Sequence, residues 1–222
     1  YRDNGVKLFA VGGNKLTDEV QDAIEGDLER GGSNAADQPV ALVRTDRSAN
    51  YVDHVAAVIA PRDLTGVTVV LDCANGAMSE VAPRAFAALG ATVIAINDEP
   101  NGRNINEGCG AAHPETLSEA VRLHSADLGL AFDGDGDRVI AVDHVGNVVD
   151  GDQLIALFAL DLASRNELDP RGVVVTVMSN AGFHSAMADA GIVVHTTPVG
   201  DRHVLAAMES TKCVIGGEQS GH

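Results

Sequence analysis

The chain is poor in positive charge. Its 222 residues carry 15 Lys and Arg against 32 Asp and Glu, a formal net charge of −17. Phosphate backbones and anionic lipid surfaces are bound by basic patches. This balance therefore argues against nucleic acid and against an anionic membrane as partners. The acid excess runs through both halves of the sequence, so it is not an acidic tail on a neutral body. Long hydrophobic runs are missing too: no apolar stretch approaches the ~20 residues of a membrane-spanning helix. Cysteine is sparse. Cys73, Cys109 and Cys213 lie far apart, are odd in number and form no Cys-x-x-Cys pair. That usage fits a reducing, cytoplasmic setting rather than a disulfide framework. The opening Tyr1-Arg-Asp-Asn-Gly is polar and turn-like rather than signal-like. Lacking a Met, it reads as the middle of something longer.

What remains is an ordinary globular composition, 45% hydrophobic and 21% charged, which excludes wholesale disorder. At roughly 100–200 residues per domain, the length allows one or two domains. Residues 5–10 read as a strand, followed by a helix capped by Thr17 with Val20, Ile24 and Leu28 on one face. Residues 31–39 are a loop by composition. A continuous apolar run, 67–73, predicts a strand buried on both faces. Helix 81–89 closes at Gly90, and strand 91–96 leads into a long polar loop, 98–112. Pro114 suits the start of a helix whose Leu117, Ala120, Val121 and His124 share a face; His124 is expected to be a satisfied residue at the core edge. Strand 128–132 and a hairpin over 139–149 follow. Residues 154–162 are apolar nearly all round, which predicts a buried helix. Strands at 173–178, 192–196 and 213–215 alternate with helices near 181–190 and 201–209. Such alternation predicts α/β units with parallel pairing and right-handed crossovers. The units divide as 48–148 and 149–222, after an incomplete piece, 1–47, that cannot bury its own faces.

The strongest chemical signal is Asp133-Gly-Asp-Gly-Asp-Arg138, directly after the strand 128–132. Glycines between the three aspartates let the backbone turn sharply and aim the carboxylates together. Crowded carboxylates repel one another unless a cation sits among them, and hard oxygen ligands select Mg²⁺, Ca²⁺ or Mn²⁺. Arg138 could hold a phosphate. An EF-hand starting at Asp133 needs Gly sixth and Glu twelfth, where this chain has Arg138 and His144. A haloacid-dehalogenase-type phosphatase also places Asp-x-Asp after a strand, and stays as an alternative although Asp137 departs from its usual pattern. Further polar loops follow other strands: Asp72-Cys-Ala-Asn-Gly-Ala77, Ser179-Asn-Ala-Gly182, Thr197-Pro-Val-Gly-Asp-Arg202 and Gly216-Gly-Glu-Gln-Ser-Gly-His222. Parallel α/β sheets bind ligands beyond the carboxyl ends of their strands, and a cleft between two such rims suits a polar, phosphorylated ligand.

Asn4-Gly-Val-Lys7, Asp133–Arg138 and Gly217-Glu-Gln-Ser-Gly-His222 together resemble the α-D-phosphohexomutases. Asn101 to Glu115 and Val199-Gly-Asp-Arg202 resemble the branch of that family acting on glucosamine phosphates. The resemblance runs the length of the chain, which covers about half of such a four-domain enzyme. It implies an α/β fold of consecutive three-layer α/β domains with mixed, mostly parallel sheets, truncated at both ends. Residues 1–47 would be the C-terminal part of domain 1. Residues 48–148 would be domain 2 with the metal-binding loop, and 149–222 an incomplete domain 3 with the sugar-binding loop. Asp133, Asp135 and Asp137 would hold Mg²⁺ with an oxygen of a phosphoserine. Arg138 would lie beside the transferring phosphoryl group, Lys7 would serve as general acid/base and His222 would sit near the proton transfer. Glu218 and Ser220 would grip sugar hydroxyls, faced by Thr197, Gly200 and Asp201.

The implied reaction interconverts glucosamine 6-phosphate and glucosamine 1-phosphate through a 1,6-bisphosphate, for UDP-N-acetylglucosamine and cell-wall precursor synthesis. The substrate is a phosphorylated hexosamine, with a homodimer of the intact enzyme as an open partner. Gln219 and the 104–115 loop favour glucosamine over mannose or glucose by resemblance. The family's nucleophile sits in a Ser-His-Asn-Pro loop that these 222 residues do not contain, so the fragment alone is expected to be inactive. Mannose- or glucose-phosphate mutases and a non-catalytic metal-binding module remain as alternatives.

Overall fold

A computed structural model describes residues 8–13, 15–31 and 46–222. They fall into two compact units, Tyr1–Arg47 and Ser48–His222. In the first, Phe9 and Lys15 form an antiparallel bridge ahead of helix α1, Asp18–Glu29. Asp18 and Glu19 occupy its first turn, where acids oppose the positive end of the helix dipole. The helix buries no residue, so Val20 and Leu28 stay exposed. The strand expected over 5–10 lies partly outside the described residues; Phe9 contributes only its bridge.

The second unit opens with α2, Ser48–Ile59, whose pattern the sequence does not announce and which buries only Val52. Then come β1 (Thr68–Asp72), α3 (Met78–Ala88), β2 (Thr92–Ile96), α4 (Glu115–His124), β3 (Leu128–Phe132), β4 (Val139–Asp143) and β5 (Val148–Val149). The sheet order is β2-β1-β3-β4-β5, with β1 parallel to β2 and β3 and antiparallel pairing from β3 through β5. Successive strand side chains point to opposite faces, and β1 shows it. Val70 packs with Leu117, Val121, Ala131 and Val142 under α4. Val69 and Leu71 pack with Ala82 and Phe132 under α3. The result is three layers. His124 corrects an expectation: it is exposed, because it ends α4, whose buried contacts finish at Val121. Asp143 turns the β4–β5 hairpin, accepting bonds from the Asn147 and Val145 amides at 2.8 and 3.0 Å. Those bonds, Asn147's first, hold its pKa below the ordinary value.

The remainder comprises α5 (Gly151–Ser164), β6 (Gly172–Thr176), α6 (Ala181–Asp189), β7 (Val193–Thr197) and α7 (Asp201–Thr211). β6 and β7 are parallel. Ile155, Ala159, Val173, Val175, Phe183 and Met187 form the core on one face, and Val174, Val204 and Cys213 on the other. Two expectations fail here. Helix α5 is not buried all round: Ile155, Ala159 and Ala163 face the core, while Leu157, Phe158 and Leu160 are exposed. One sheet face offers only one stripe of contact. Residues 213–215 are not a strand either. The pairing is confined to one parallel bridge just beyond them, Val174 with Gly216, where a Cβ on Gly216 would lie 2.9 Å from the Val174 carbonyl. Among the described residues no helix is long and apolar enough to cross a membrane.

Helix α5 begins with a capping box: the Asp150 carboxylate accepts the Gln153 amide at 3.0 Å, and the Gln153 side chain accepts the Asp150 amide at 3.0 Å. Asp150→Ala removes this cap and is expected to cost about 1 kcal/mol. For a chain of this size that lowers the thermal midpoint by roughly 2–4 °C, which circular dichroism on heating will measure.

Candidate functional site

Asp133 is the first residue beyond β3, and its side chain turns inward. Its Oδ2 accepts the Arg138 Nε–H at 2.9 Å, and its Oδ1 accepts the Arg138 amide at 3.2 Å. Gly136, at φ 74°, closes the turn by donating its N–H to the Asp133 carbonyl at 3.1 Å. This loop brings carboxylate oxygens of Asp133, Asp135 and Asp137 within 4.8 Å of one another. Asp133 is buried, whereas Asp135 and Asp137 are exposed. The donor set is all hard oxygen, rooted at one end and open to solution at the other. These residues fit a divalent cation such as Mg²⁺, Ca²⁺ or Mn²⁺.

The segment Gly217–His222 lies against this loop. The Val139 amide, next after Arg138, donates to the Gly221 carbonyl at 3.1 Å. Gly221 has φ 106°, and a Cβ there would fall 2.6 Å from the Val139 carbonyl. The packing carries His222 to Asp137, Nε2 to Oδ1 at 3.3 Å. His222 Nδ1 lies 3.3 Å from the Ser220 hydroxyl, which donates to Glu218 Oε2 at 3.4 Å. Glu218 is buried, and its Oε1 accepts the Gly200 amide at 3.0 Å. One chain of polar contacts thus joins Asp137, His222, Ser220, Glu218 and Gly200.

The other residues singled out by sequence are placed differently. Thr197 is buried, and its hydroxyl donates to the Pro198 carbonyl at 2.9 Å, so it is spent on backbone. Asp201 starts α7, and its carboxylate accepts the Arg202 amide at 2.8 Å. Lys7 lies outside the described residues. Gln219 points away from the polar chain: its Nε2 donates to Asp150 Oδ2 at 3.3 Å. Helix α5 and the 217–222 loop meet closely, with the Gly151 amide donating to the Gln219 carbonyl at 3.1 Å. Sequence reasoning missed Asp150 and Gly151 as supports of the site, and it named Asp72 only as the start of a polar loop at a strand end. The signal at Asp72 is an acid that follows the apolar Val69-Val70-Leu71 of β1.

Two of the three thiols sit behind the metal-type loop. Burial, then the charges of Asp98 and Asp72, pushes Cys73 from the ordinary 9.0 up to about 12. Burial, with Asp72 next, raises Cys109 as well. Both are therefore neutral thiols at pH 8. Because the folded value exceeds the unfolded one, this stabilisation is present below about pH 9 and fades as pH rises toward 12. Iodoacetamide at pH 8 is expected to label Cys73 only after denaturation; rapid labelling of the native chain would contradict its placement.

The family model "Phosphoglucomutase/phosphomannomutase, alpha/beta/alpha domain II" matches residues 49–146, and the corresponding domain III model matches residues 150–222. A phosphoglucosamine mutase of Parafrankia sp. (strain EAN1pec) is 55% identical over 99% of this chain and 48% of its own length. The phosphoglucosamine mutase of Rhodococcus jostii (strain RHA1) is 51% identical over 99% of this chain and 50% of its own. The chain spans about half the length of the curated relatives it matches. Among solved structures, a phosphoglucomutase/phosphomannomutase family protein from Burkholderia thailandensis superposes with a TM-score of 0.75 at 26% identity. That match covers 93% of this chain and 44% of the other.

Proposed function

We propose a function from a premise that the two matched domains establish: the chain belongs to the phosphoglucomutase/phosphomannomutase family. It is the central part of a phosphoglucosamine mutase, a cytoplasmic isomerase that interconverts glucosamine 6-phosphate and glucosamine 1-phosphate. The route is a phosphoserine enzyme and a 1,6-bisphosphate. Residues 1–47 close a first domain, 48–148 form a second and 149–222 begin a third. The observation that carries this reading is the polar chain from Asp137 through His222, Ser220 and Glu218 to Gly200. It sets three carboxylates beside a loop of sugar-binding character on a single surface.

The residues divide the work. Asp133, Asp135 and Asp137 would hold Mg²⁺, which when bound would supply neutralisation of charge on a transferring phosphoryl group. Arg138, anchored through Nε on Asp133 and half-exposed, lies beside that group, where a planar fork suits phosphate oxygens. Phosphoryl transfer needs mainly positioning and charge stabilisation, and this set provides both. Glu218 and Ser220 accept and orient sugar hydroxyls, with the Gly200–Asp201 turn opposite. His222, held between Asp137 and Ser220, stands where a proton could pass, and Lys7 takes the acid/base role by resemblance. Closure of further domains keeps water from the phosphoenzyme.

The test is a side-by-side assay of the longer protein that contains this chain, on the 6-phosphates of glucosamine, mannose and glucose with Mg²⁺. Glucosamine 6-phosphate is expected to turn over fastest, and a preference for mannose or glucose would overturn the substrate. The 222-residue chain alone, which holds no Ser-His-Asn-Pro loop, is expected to convert none.

A further inference from the structure

Asp72 is the last residue of β1, the strand between β2 and β3, and it is fully buried. A buried carboxylate is costly unless its oxygens find donors. Here Oδ1 accepts the Ala74 amide at 3.0 Å and Oδ2 accepts the Gly110 amide at 2.9 Å. Those two backbones lead straight to the Asp133 loop. The Ala111 amide, next to Gly110, donates to the carbonyl of Phe132 at 2.8 Å, the residue before Asp133. The carbonyl of Ala74 accepts the Asn106 amide at 2.9 Å. The Asn106 side chain rests on Gly134, where an added Cβ would fall 2.6 Å from Nδ2. From the other side the Ala77 amide donates to the Gly134 carbonyl at 2.9 Å. Gly110 leaves no slack, since a Cβ there would lie 2.5 Å from the Phe132 carbonyl and 2.6 Å from the Ala74 Cβ.

We infer that Asp72 is a positioning residue for the metal site: its two oxygens tie the 74–77 turn and the 105–111 loop into the clamp that fixes the Asp133–Asp137 loop. The inference rests on the reading of Asp133, Asp135 and Asp137 as metal ligands. It also explains why an acid stands there. An amide of the same shape has one acceptor oxygen, so one of the two N–H groups would face an NH₂. A carboxylate offers one acceptor oxygen to each amide.

The experiment is calorimetric titration of the 222-residue chain with Mn²⁺ alone. Asp72→Asn is expected to raise the dissociation constant by about 10-fold, the lower end of the range for groups bonded directly to a ligand, because Asp72 acts through backbone. Asn106→Ala, which withdraws the amide from Gly134, is expected to raise it in the same direction and keeps the test open if Asp72→Asn does not fold. A merely structural role would lower the number of folded sites without changing their dissociation constant. Asp135→Asn serves as control and is expected to remove binding. If the control removes binding while both clamp variants stay within twofold of the unaltered chain, the positioning role is overturned and the metal site stands. If the unaltered chain binds no Mn²⁺, the metal-site reading falls and takes the positioning role with it.

Discussion

Asp133→Ala is expected to abolish measurable divalent-cation binding and to lower stability by ~2 kcal/mol, the scale of lost hydrogen bonds to a charged group. The two effects share one cause. Asp133 is the buried member of the carboxylate group, and both of its oxygens hold Arg138. Removing it leaves the Arg138 Nε–H and backbone amide without their acceptor. The half-exposed guanidinium recovers part of the loss from water, which keeps the cost below that of a fully buried pair. Binding suffers more. Asp135 and Asp137 remain, but both are exposed, and two solvated carboxylates without the rooted third make a poor site. Loss of a direct ligand is expected to exceed the ~10–100-fold typical of outer-shell changes. Calorimetry with Mg²⁺ or Mn²⁺ reads the affinity and urea unfolding reads the stability. An unchanged dissociation constant would remove Asp133 from the ligand set.

Gly151→Ala is the second large effect. A Cβ at this first residue of α5 would lie 2.0 Å from the Glu218 carbonyl oxygen and 2.8 Å from that of Gln219. Both obstacles are backbone, so no rotamer change relieves them. Either the helix start or the 217–222 loop must move, and the Gly151 amide loses its bond to the Gln219 carbonyl. Overpacking of this kind costs about 3 kcal/mol. Moving the loop also shifts Glu218 and Ser220 off Gly200 and His222. In the longer protein, the KM for glucosamine 6-phosphate is expected to rise by at least ~10-fold, equivalent to about 1.4 kcal/mol of lost binding. Gly191→Ala is the control. Its φ is 66°, yet a Cβ there meets nothing within 4 Å, so only backbone strain of roughly 1 kcal/mol is expected. Equal urea midpoints for the two variants would mean that close approach to Glu218 is not what position 151 requires.

Much of the architecture was legible residue by residue. The apolar run 67–73 announced β1 because a strand buried on both faces has no polar side, and the structure buries Val69, Val70 and Leu71 completely or nearly so. The Asp-Gly-Asp-Gly-Asp motif announced its own cluster, since alternating glycines and a short span leave the carboxylates little room to separate. The pattern was less informative where burial depends on a neighbour. Helix α5 is apolar on several sides, but only the Ile155, Ala159 and Ala163 stripe meets the sheet. His124 shares a face with Leu117 and Val121 yet stands past the end of the core. Residues 213–215 look like a strand, yet the pairing is one parallel bridge a residue later, Gly216 with Val174.

The candidate site divides along the same line. Which residues could bind a cation or a phosphate was written in their chemistry and local spacing: acids, an arginine, and glycines that let backbone turn. Sequence alone thus determined the α/β class, the metal-type loop and the family resemblance. Tertiary structure decided which of these groups meet. His222 reaches Asp137 because the Gly221 carbonyl pairs with the Val139 amide, Thr197 turns its hydroxyl inward, Gln219 serves a helix cap, and Asp72 joins the site through backbone it never announced. Propensity and turn chemistry act over a few residues and can be read along the chain. Close packing and the need to satisfy every buried polar group act across it, and they become visible only when the elements are assembled.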